Sequence, residues 1–448
     1  MKKRVKIIGA GLAGSECALQ LAKRGFEVTL VEMRPVVQTQ VHKTSFCAEL
    51  VCSNSLKSTK PDSAAGMLKE ELNVLGSFLY EDALKTRVAA GGALAVDREM
   101  FSKLVTKQVE QNVNLERREA IDLTEESTGF DALVLATGPL TSDNLAHSLS
   151  EFMDKDYLAF FDAAAPIVMA DSLDYDILFR QSRYEEGAGD YLNAPFTKEE
   201  YETFIEELLG AERIVLKDFE TKELFQACQP IEEIARRGKD APRYGALKPV
   251  GLIDPRTNKR PWAVVQLRAE DSFCQSYNLV GFQTNLTFPE QKRVFRLIPG
   301  LENAEFSRYG VMHRNTFLDA PRLLNDQLEL QVEGNNKDVP IYVAGQLGGT
   351  EGYVEAIRSG LHVALAIAQR MQGICPIKLP TQTAFGSLLA YATSKDTIDY
   401  QPSHVNFGIM APLDKHVKNK AERYSLYAQR GKDALNSYCE QLKAAGVL

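Results

Sequence analysis

The chain has 448 residues, with 44% hydrophobic and 25% charged side chains, enough for two or three domains and a substantial core. Its net charge of −8 excludes the molecule as a whole from attracting nucleic acid or an anionic membrane, so any such partner would have to meet a local basic face. Seven scattered cysteines, an odd number, with no CxxC and no HExxH, argue for reduced thiols in a cytoplasm and against a disulfide framework or a metal site.

The opening "MKKRVKIIGAGLAG" places charge before an apolar stretch, but Glu16 interrupts that stretch early and its glycines fit another motif. A secretory signal is therefore not expected, and no apolar run approaches the length of a membrane span. "VKIIG" reads as a strand, "SECALQLAKRG" as a helix stopped by Gly25, and "EVTLVE" as a second strand. Between the first strand and the helix, Gly9, Ala10, Gly11, Leu12, Ala13 and Gly14 form a GxGxxG turn, and Glu32 ends the second strand eighteen residues after Gly14. Each part has a physical task. The glycines allow the turn, the close approach of a pyrophosphate and the packing of helix on strand. The helix N-terminus favours the phosphate's charge, and the carboxylate accepts hydrogen bonds from a ribose. A glycine-rich turn without a ligand explains neither the spacing nor Glu32.

Next comes "CAELVC", Cys47 to Cys52. Two thiols with four residues between them look like the redox pair of a flavin disulfide reductase, whereas the run "CSNSL" looks like the setting of a lone reactive cysteine. "FDALVLATGP" (130–139) is a buried strand ending in Ala-Thr-Gly138, as in FAD-binding folds of the glutathione-reductase type. From about 161 to 305 the character changes to an inserted α+β domain, with the acidic stretch 185–223 as a solvated helical face.

Within that insertion, "FQACQPIEEIARRG" reads as a helix with Pro230 in its first turn and Gly238 as its stop, which puts Cys228 at or just before a helix N-terminus. Such a position lowers a thiol's pKa; a buried structural cysteine is the equal alternative. From Arg236 to Arg260 eight Lys and Arg face two Asp, an excess of six positive charges, and Lys415–Lys432 carries six against Glu422. Arg236, Arg237, Lys239, Arg256 and Arg260 are the candidate RNA contacts, against the alternative of a merely solvated charged face.

The FAD fold resumes over 306–375. "VPIYVAGQLGGTEGYVEAI" is a strand, a glycine-rich turn and the start of a long helix, and it resembles the last flavin-contacting element of such folds, which implies that Gly345, Gln346, Gly349 and Glu351 approach the flavin half. The strand of such folds usually ends in Gly-Asp; here Gln346 follows Gly345. Residues 376–448 form a largely helical tail. The fold class is thus α/β: a glutathione-reductase-type Rossmann FAD-binding domain (1–160 and 306–375), interrupted by the α+β insertion (161–305) and followed by the tail.

A disulfide reductase would have glycines before the first cysteine and a second GxGxxG for a nicotinamide nucleotide in mid-chain, and neither is present. A binding module keeping FAD as a relic would leave "VCSNSL", Cys228 and the basic stretch unrelated. The chain instead resembles the flavin- and folate-dependent tRNA (uracil-5-)-methyltransferases, the TrmFO family, along essentially its whole length. The resemblance is carried by "GAGLAGSECALQLAKRG" with "EMRP", "ELVCSNSL", "ATGPLTSD", "ACQPIEEIARRG", "GVMHRNTFLDAP", "GQLGGTEGYVEAI" and "HVNFGIMAPL", in the family's order. The related wobble-uridine modifying flavoprotein (GidA, or MnmG) is much longer.

The resemblance implies methylation of C5 of a uridine, the T-loop uridine of tRNA first, with a ribosomal RNA uridine or the wobble uridine as alternatives. The carbon comes from 5,10-methylenetetrahydrofolate, and FAD is the reductant, itself reduced by NADH or NADPH. It also implies two catalytic cysteines, Cys228 as nucleophile at uracil C6 and Cys52 assisting proton removal or methylene transfer, an order that the sequence leaves open. Cys47 is then incidental and buried. Asn54, Arg314 and Asn406 lie in matching motifs as substrate contacts or structural hydrogen-bonders, and Tyr353 is a candidate to stack on the pterin. Oligomeric state is not legible.

Overall fold

Five short strands line up in parallel in the order Ile341–Val343, Ala132–Leu135, β1 (Arg4–Ile8), β2 (Glu27–Glu32) and Asn114–Arg117. Val5, Ile7, Ile8, Leu133, Val134, Leu135 and Val343 are all buried, because a parallel sheet is covered on both faces and needs apolar side chains on each. The computed structural model describes residues 2–39, 41–153, 158–184, 189–214, 229–269, 274, 276–331, 339–396, 400, 402–415 and 417–448.

β1 breaks at Gly9, whose φ is +99°. A Cβ there would stand 2.5 Å from the carbonyl oxygen of Ala136, so only glycine allows this turn beside the neighbouring strand. The chain then enters α1 (Leu12–Lys23). A Cβ on Gly14 would collide with the Gly9 carbonyl, and one on Gly360 with the Ala13 carbonyl. The long helix Tyr353–Met371, buried almost throughout, therefore meets α1 backbone to backbone. It also packs against helix Ala64–Val74, on which the tail helices Ala384–Thr393 and Lys420–Ala444 pack in turn. Among the described residues no helix is long and apolar enough to cross a membrane.

The inserted part has its own sheet, ordered Phe179–Arg180, Leu192–Phe196, Ala263–Ala269, Ser276–Leu279, Ile167–Met169 and Phe306–Arg308. Every pairing in it is antiparallel. Helix Lys198–Gly210, opened by a Thr197–Glu200 capping box, lies over it. A separate core of Phe196, Phe204, Phe282 and Phe295 fills the space between.

Several connections bind this part to the cofactor half, among them a backbone ribbon and a buried asparagine. Leu158–Ala164 and Val311–Phe317 pair as an antiparallel ribbon through which the chain enters and leaves. Asn54, fully buried, donates through Nδ2 to the carbonyls of Val96 (3.2 Å) and Ala269 (2.8 Å) and accepts from Nε of Arg268 (2.8 Å). Of the two readings of Asn54, the structural one matches these contacts.

Substituting Gly360→Ala should destabilise the fold by the cost of overpacking, about 1–3 kcal/mol, and so lower the thermal midpoint. A melting curve equal to wild type would mean that the two helices part without penalty.

Candidate dinucleotide site and the Cys52 loop

The ends of β1, β2 and Ala132–Leu135 open onto a cleft lined by Gly9, Gly11, Glu32, Arg118, Thr137 and Thr141, among others. Three features suit a pyrophosphate there. The N-terminus of α1 has no side-chain cap and no acidic residue in its first turn, so its N–H groups and dipole are available to an anion. Gly11, the N-cap, has an ordinary φ of −72°, and a Cβ on it would meet no protein atom within 4 Å. The protein itself does not require glycine at that point, whereas a phosphate drawn against the backbone does. Gly138, at φ +67°, starts the short turn Gly138–Leu140 across the cleft.

Glu32 lies at the back of this cleft, 4% exposed. Its Oε2 accepts the Ala10 N–H at 2.9 Å, and its Oε1 accepts the Arg34 N–H at 3.1 Å and Nε at 2.8 Å. Burial alone would raise its pKa, but the Arg34 hydrogen bond and charge, with the two backbone N–H groups, outweigh it and hold the carboxyl below its usual value. The group is an anion at neutral pH with lone pairs left for a ribose.

The second glycine turn lies beside the first. Gly345, at φ +80°, donates its N–H to Ser359 Oγ at 2.6 Å. Gln346 donates to Glu351 Oε2 at 2.7 Å, so the residue that replaces the usual Asp orients a carboxylate from within the same turn. Gly349 leaves no room for a Cβ under the Tyr400 hydroxyl.

This turn ends at Tyr353, whose hydroxyl accepts the N–H of Cys52 at 2.7 Å and of Ser53 at 3.2 Å. The Cys52 main chain is thereby tied to the second turn, while Ala48 N–H donates to Ala10 O at 2.8 Å in the first. Arg308, from the inserted sheet, donates to the carbonyls of Val51 (2.8 Å), Cys52 (3.2 Å) and Ala165 (3.1 Å). Tyr353 thus holds the cysteine loop by hydrogen bonds.

Cys47 is a free, wholly buried thiol. Its N–H donates to Thr106 Oγ1 at 2.8 Å, and burial pushes the thiol up to about 11, so at neutral pH it is protonated and inert.

Cys228 lies outside the described residues, as does the side chain of Arg314. The helix after Cys228 runs Ile231–Arg237 with Pro230 as N-cap, one position earlier than the first-turn placement read from the sequence, and Gly238 as C-cap. The basic residues Arg236, Arg237, Lys239, Arg256 and Arg260 are exposed. Arg236 pairs with Glu233 at 3.5 Å and Arg256 grips Asp254 with Nε (3.1 Å) and Nη2 (2.9 Å), so part of the counted positive charge is met locally. Asn406 closes a turn, donating to His404 O and accepting from Gly408 N–H, both at 2.9 Å. Among the described residues no cluster of His, Cys, Asp and Glu suits a metal.

Arg34 and Arg308 were not singled out from the sequence. Arg34 had a signal, since a cation two residues past an acidic strand end shares its side of the strand. Arg308 had none.

The parallel sheet with its two glycine turns defines a FAD-binding fold of the GidA type. The family model "Glucose inhibited division protein A" matches residues 4–375. GidA of Aquifex aeolicus in one crystal form shares the fold with a TM-score of 0.67 and 17% identity, covering 99% of this chain and 76% of that one. Two curated relatives carry the name methylenetetrahydrofolate–tRNA-(uracil-5-)-methyltransferase TrmFO. The one from Carboxydothermus hydrogenoformans is 51% identical over 96% of this chain and 97% of its own. The one from Thermotoga maritima is 49% identical over 98% and 99%. The chain belongs to the TrmFO family.

Two results are expected. Because the folded pKa of Glu32 is depressed, its contribution to stability is present above its unfolded value of about 4.3 and is lost as pH falls through the folded value. Urea unfolding should therefore show a wild-type advantage over Glu32→Gln that shrinks as pH drops from neutral to about 3, and a constant difference would contradict the assignment. Cys47→Ala should keep full turnover, and a folded but inactive variant would reinstate the disulfide reading.

Proposed function

We propose that the protein methylates C5 of a uridine in tRNA, U54 of the T-loop, in the cytoplasm, taking the carbon from 5,10-methylenetetrahydrofolate. The observation that carries this is the tie between the Cys52 loop and both glycine turns, in a chain about half identical to named uracil-5-methyltransferases over nearly its full length.

Gly9, Gly11, Gly14 and the α1 N-terminus receive the FAD pyrophosphate, Glu32 the ribose, and Gly138 closes the cleft. Gly345, Gln346, Gly349 and Glu351 approach the flavin half. When bound and reduced, FAD would supply the hydride that converts the C5 methylene to methyl, and NADH or NADPH would reduce the flavin again.

Uracil C5 is a poor nucleophile until electron density is pushed onto it. The Cys228 thiolate adds at C6, and C5 then takes the one-carbon unit, at the formaldehyde oxidation level, from the folate. A thiolate suits this step because it is strongly nucleophilic and also leaves readily. Cys52 assists removal of the C5 proton or transfer of the methylene. The inserted domain, residues 161–305, presents the RNA, with Arg236, Arg237, Lys239, Arg256 and Arg260 on phosphates. The target base leaves its stack to reach the thiol.

The test incubates purified protein with undermodified tRNA, methylenetetrahydrofolate and NAD(P)H and measures nucleosides by mass spectrometry. Wild type should form 5-methyluridine, and Cys228→Ala and Cys52→Ala should fall to background. On tRNA carrying 5-fluorouridine, whose C5 fluorine blocks proton removal, Cys52→Ala should still form the covalent protein–RNA adduct while Cys228→Ala should not. The opposite pattern would exchange the two roles. Methylation of ribosomal RNA or of the wobble uridine in place of U54 would refute the tRNA site while keeping the chemistry.

A further inference from the structure

Four aromatic rings run in series from the core of the inserted domain to its surface. Buried Phe295 meets Phe306 at a tilt, with centroids 6.4 Å apart. Phe306 then stacks on Tyr309 at 5.3 Å, and Tyr309 on Phe288 at 4.9 Å, each pair within 14° of parallel. Phe288, the first residue of helix Phe288–Phe295, is 47% exposed. Deeper in the same domain the rings meet edge-on or tilted, at 80° for Phe282–Phe295, 84° for Phe196–Tyr201 and 43° for Phe204–Phe282. Mixed angles of that kind fill a core. Two successive parallel stacks ending on a half-exposed ring instead prolong a flat π-surface toward solvent, and Phe288 leaves much of its apolar area unburied, so the fold gains little from it there.

The strand that carries one ring of this ladder, Phe306–Arg308, also reaches the cysteine loop through Arg308. Ser307 and Arg308 line a cleft of about 630 Å³ between the two halves, together with Lys43 and Arg98. The carboxylates that line that cleft are engaged by protein groups, in part by the cleft's own Lys103 and the Lys43 main chain. Glu49 accepts from Arg34 and Thr44, Asp97 caps helix Arg98–Asn112, and Glu99 pairs with Lys103. Burial, and after it the charges of Arg308 and Arg98, lower the pKa of Lys43 against the opposing pull of Glu49, as expected where positive potential prevails.

We propose that this edge is a nucleotide subsite: an unpaired base next to the modified uridine stacks on Phe288, and phosphates of the same strand take the Lys43–Arg98–Arg308 cleft. The inference rests on the RNA-methyltransferase reading above. Single-stranded RNA is the occupant that matches both parts, because a displaced base offers a π-face of any identity and its backbone supplies the anion.

The test measures steady-state methylation of undermodified tRNA by wild type, Phe288→Ala, Phe288→Leu, Phe288→Trp and Lys43→Gln, beside NAD(P)H oxidation without RNA. Phe288→Ala should raise KM for the tRNA about tenfold, the loss expected for one base–aromatic stack. Its kcat and its RNA-free oxidation should stay at wild-type values. Phe288→Leu should resemble alanine although it keeps apolar volume, and Phe288→Trp should restore binding. Lys43→Gln should reduce the slope of log affinity against log salt by about one. An unchanged tRNA KM in Phe288→Ala would overturn the subsite and leave the methyltransferase reading standing. A raised KM for the folate or the nicotinamide nucleotide instead would also overturn it. If wild type forms no 5-methyluridine, both fall together.

Discussion

The guanidinium of Arg34, 2% exposed, lies under the nucleotide turn and joins segments that would otherwise have no fixed relation. Its Nε meets Glu32 at 2.8 Å, its Nη1 meets Glu49 at 3.0 Å and the Thr44 carbonyl at 3.2 Å, and its Nη2 meets the Phe46 carbonyl at 3.1 Å. Glu32 in turn holds the Ala10 N–H of the first glycine turn. Removing the cation would strand two carboxylates in a largely buried site, a break that typically costs about 3–5 kcal/mol. A network of this kind specifies one arrangement more than it adds stability. Here the arrangement is the position of the cysteine loop relative to the dinucleotide turn.

From that network the chain runs a few residues to Cys52, which is then held from two distant places. The Tyr353 hydroxyl is 301 residues away in sequence and the Arg308 guanidinium 256. The first stands on the helix that follows the second glycine turn, the second on the edge strand of the inserted sheet. A chemistry that needs a thiol between a dinucleotide and a large polymeric substrate needs such a junction, because loops acquire precision only from rigid elements that pin them. Arg308 gives the inserted domain a direct mechanical link to the cysteine through the carbonyls of Val51, Cys52 and Ala165. Asn54, two residues further on, adds a second link to the strand Ala263–Ala269.

Local signals were legible wherever the physics is local. GxGxxG before a helix, an acidic residue ending the next strand and apolar β-branched runs identify the cofactor fold because each depends on neighbours a few residues apart. The boundary at Pro230 slipped by one position because proline suits both the N-cap and the first turn, and only the backbone distinguishes them. Asn54 looked alike as a substrate contact or a structural group, since its hydrogen-bonding partners Val96, Ala269 and Arg268 lie 42 to 215 residues away. Gly360 is, in sequence, an unfavourable residue inside a good helix. Its reason is the Ala13 carbonyl pressed against it.

The sequence by itself determined the fold class and the dinucleotide turn, and through motif order it indicated the family, because these depend on periodicity and spacing along the chain. Tertiary structure alone decided the rest. It separated Cys47 from Cys52, two thiols five positions apart, by sealing one in the core and tying the loop of the other to Tyr353 and Arg308. It neutralised Arg256 against Asp254, and it stacked Phe288, Tyr309 and Phe306 into one ladder. Burial and ion pairing arise between segments that meet only on folding, and no local pattern of residue types encodes which segments those will be.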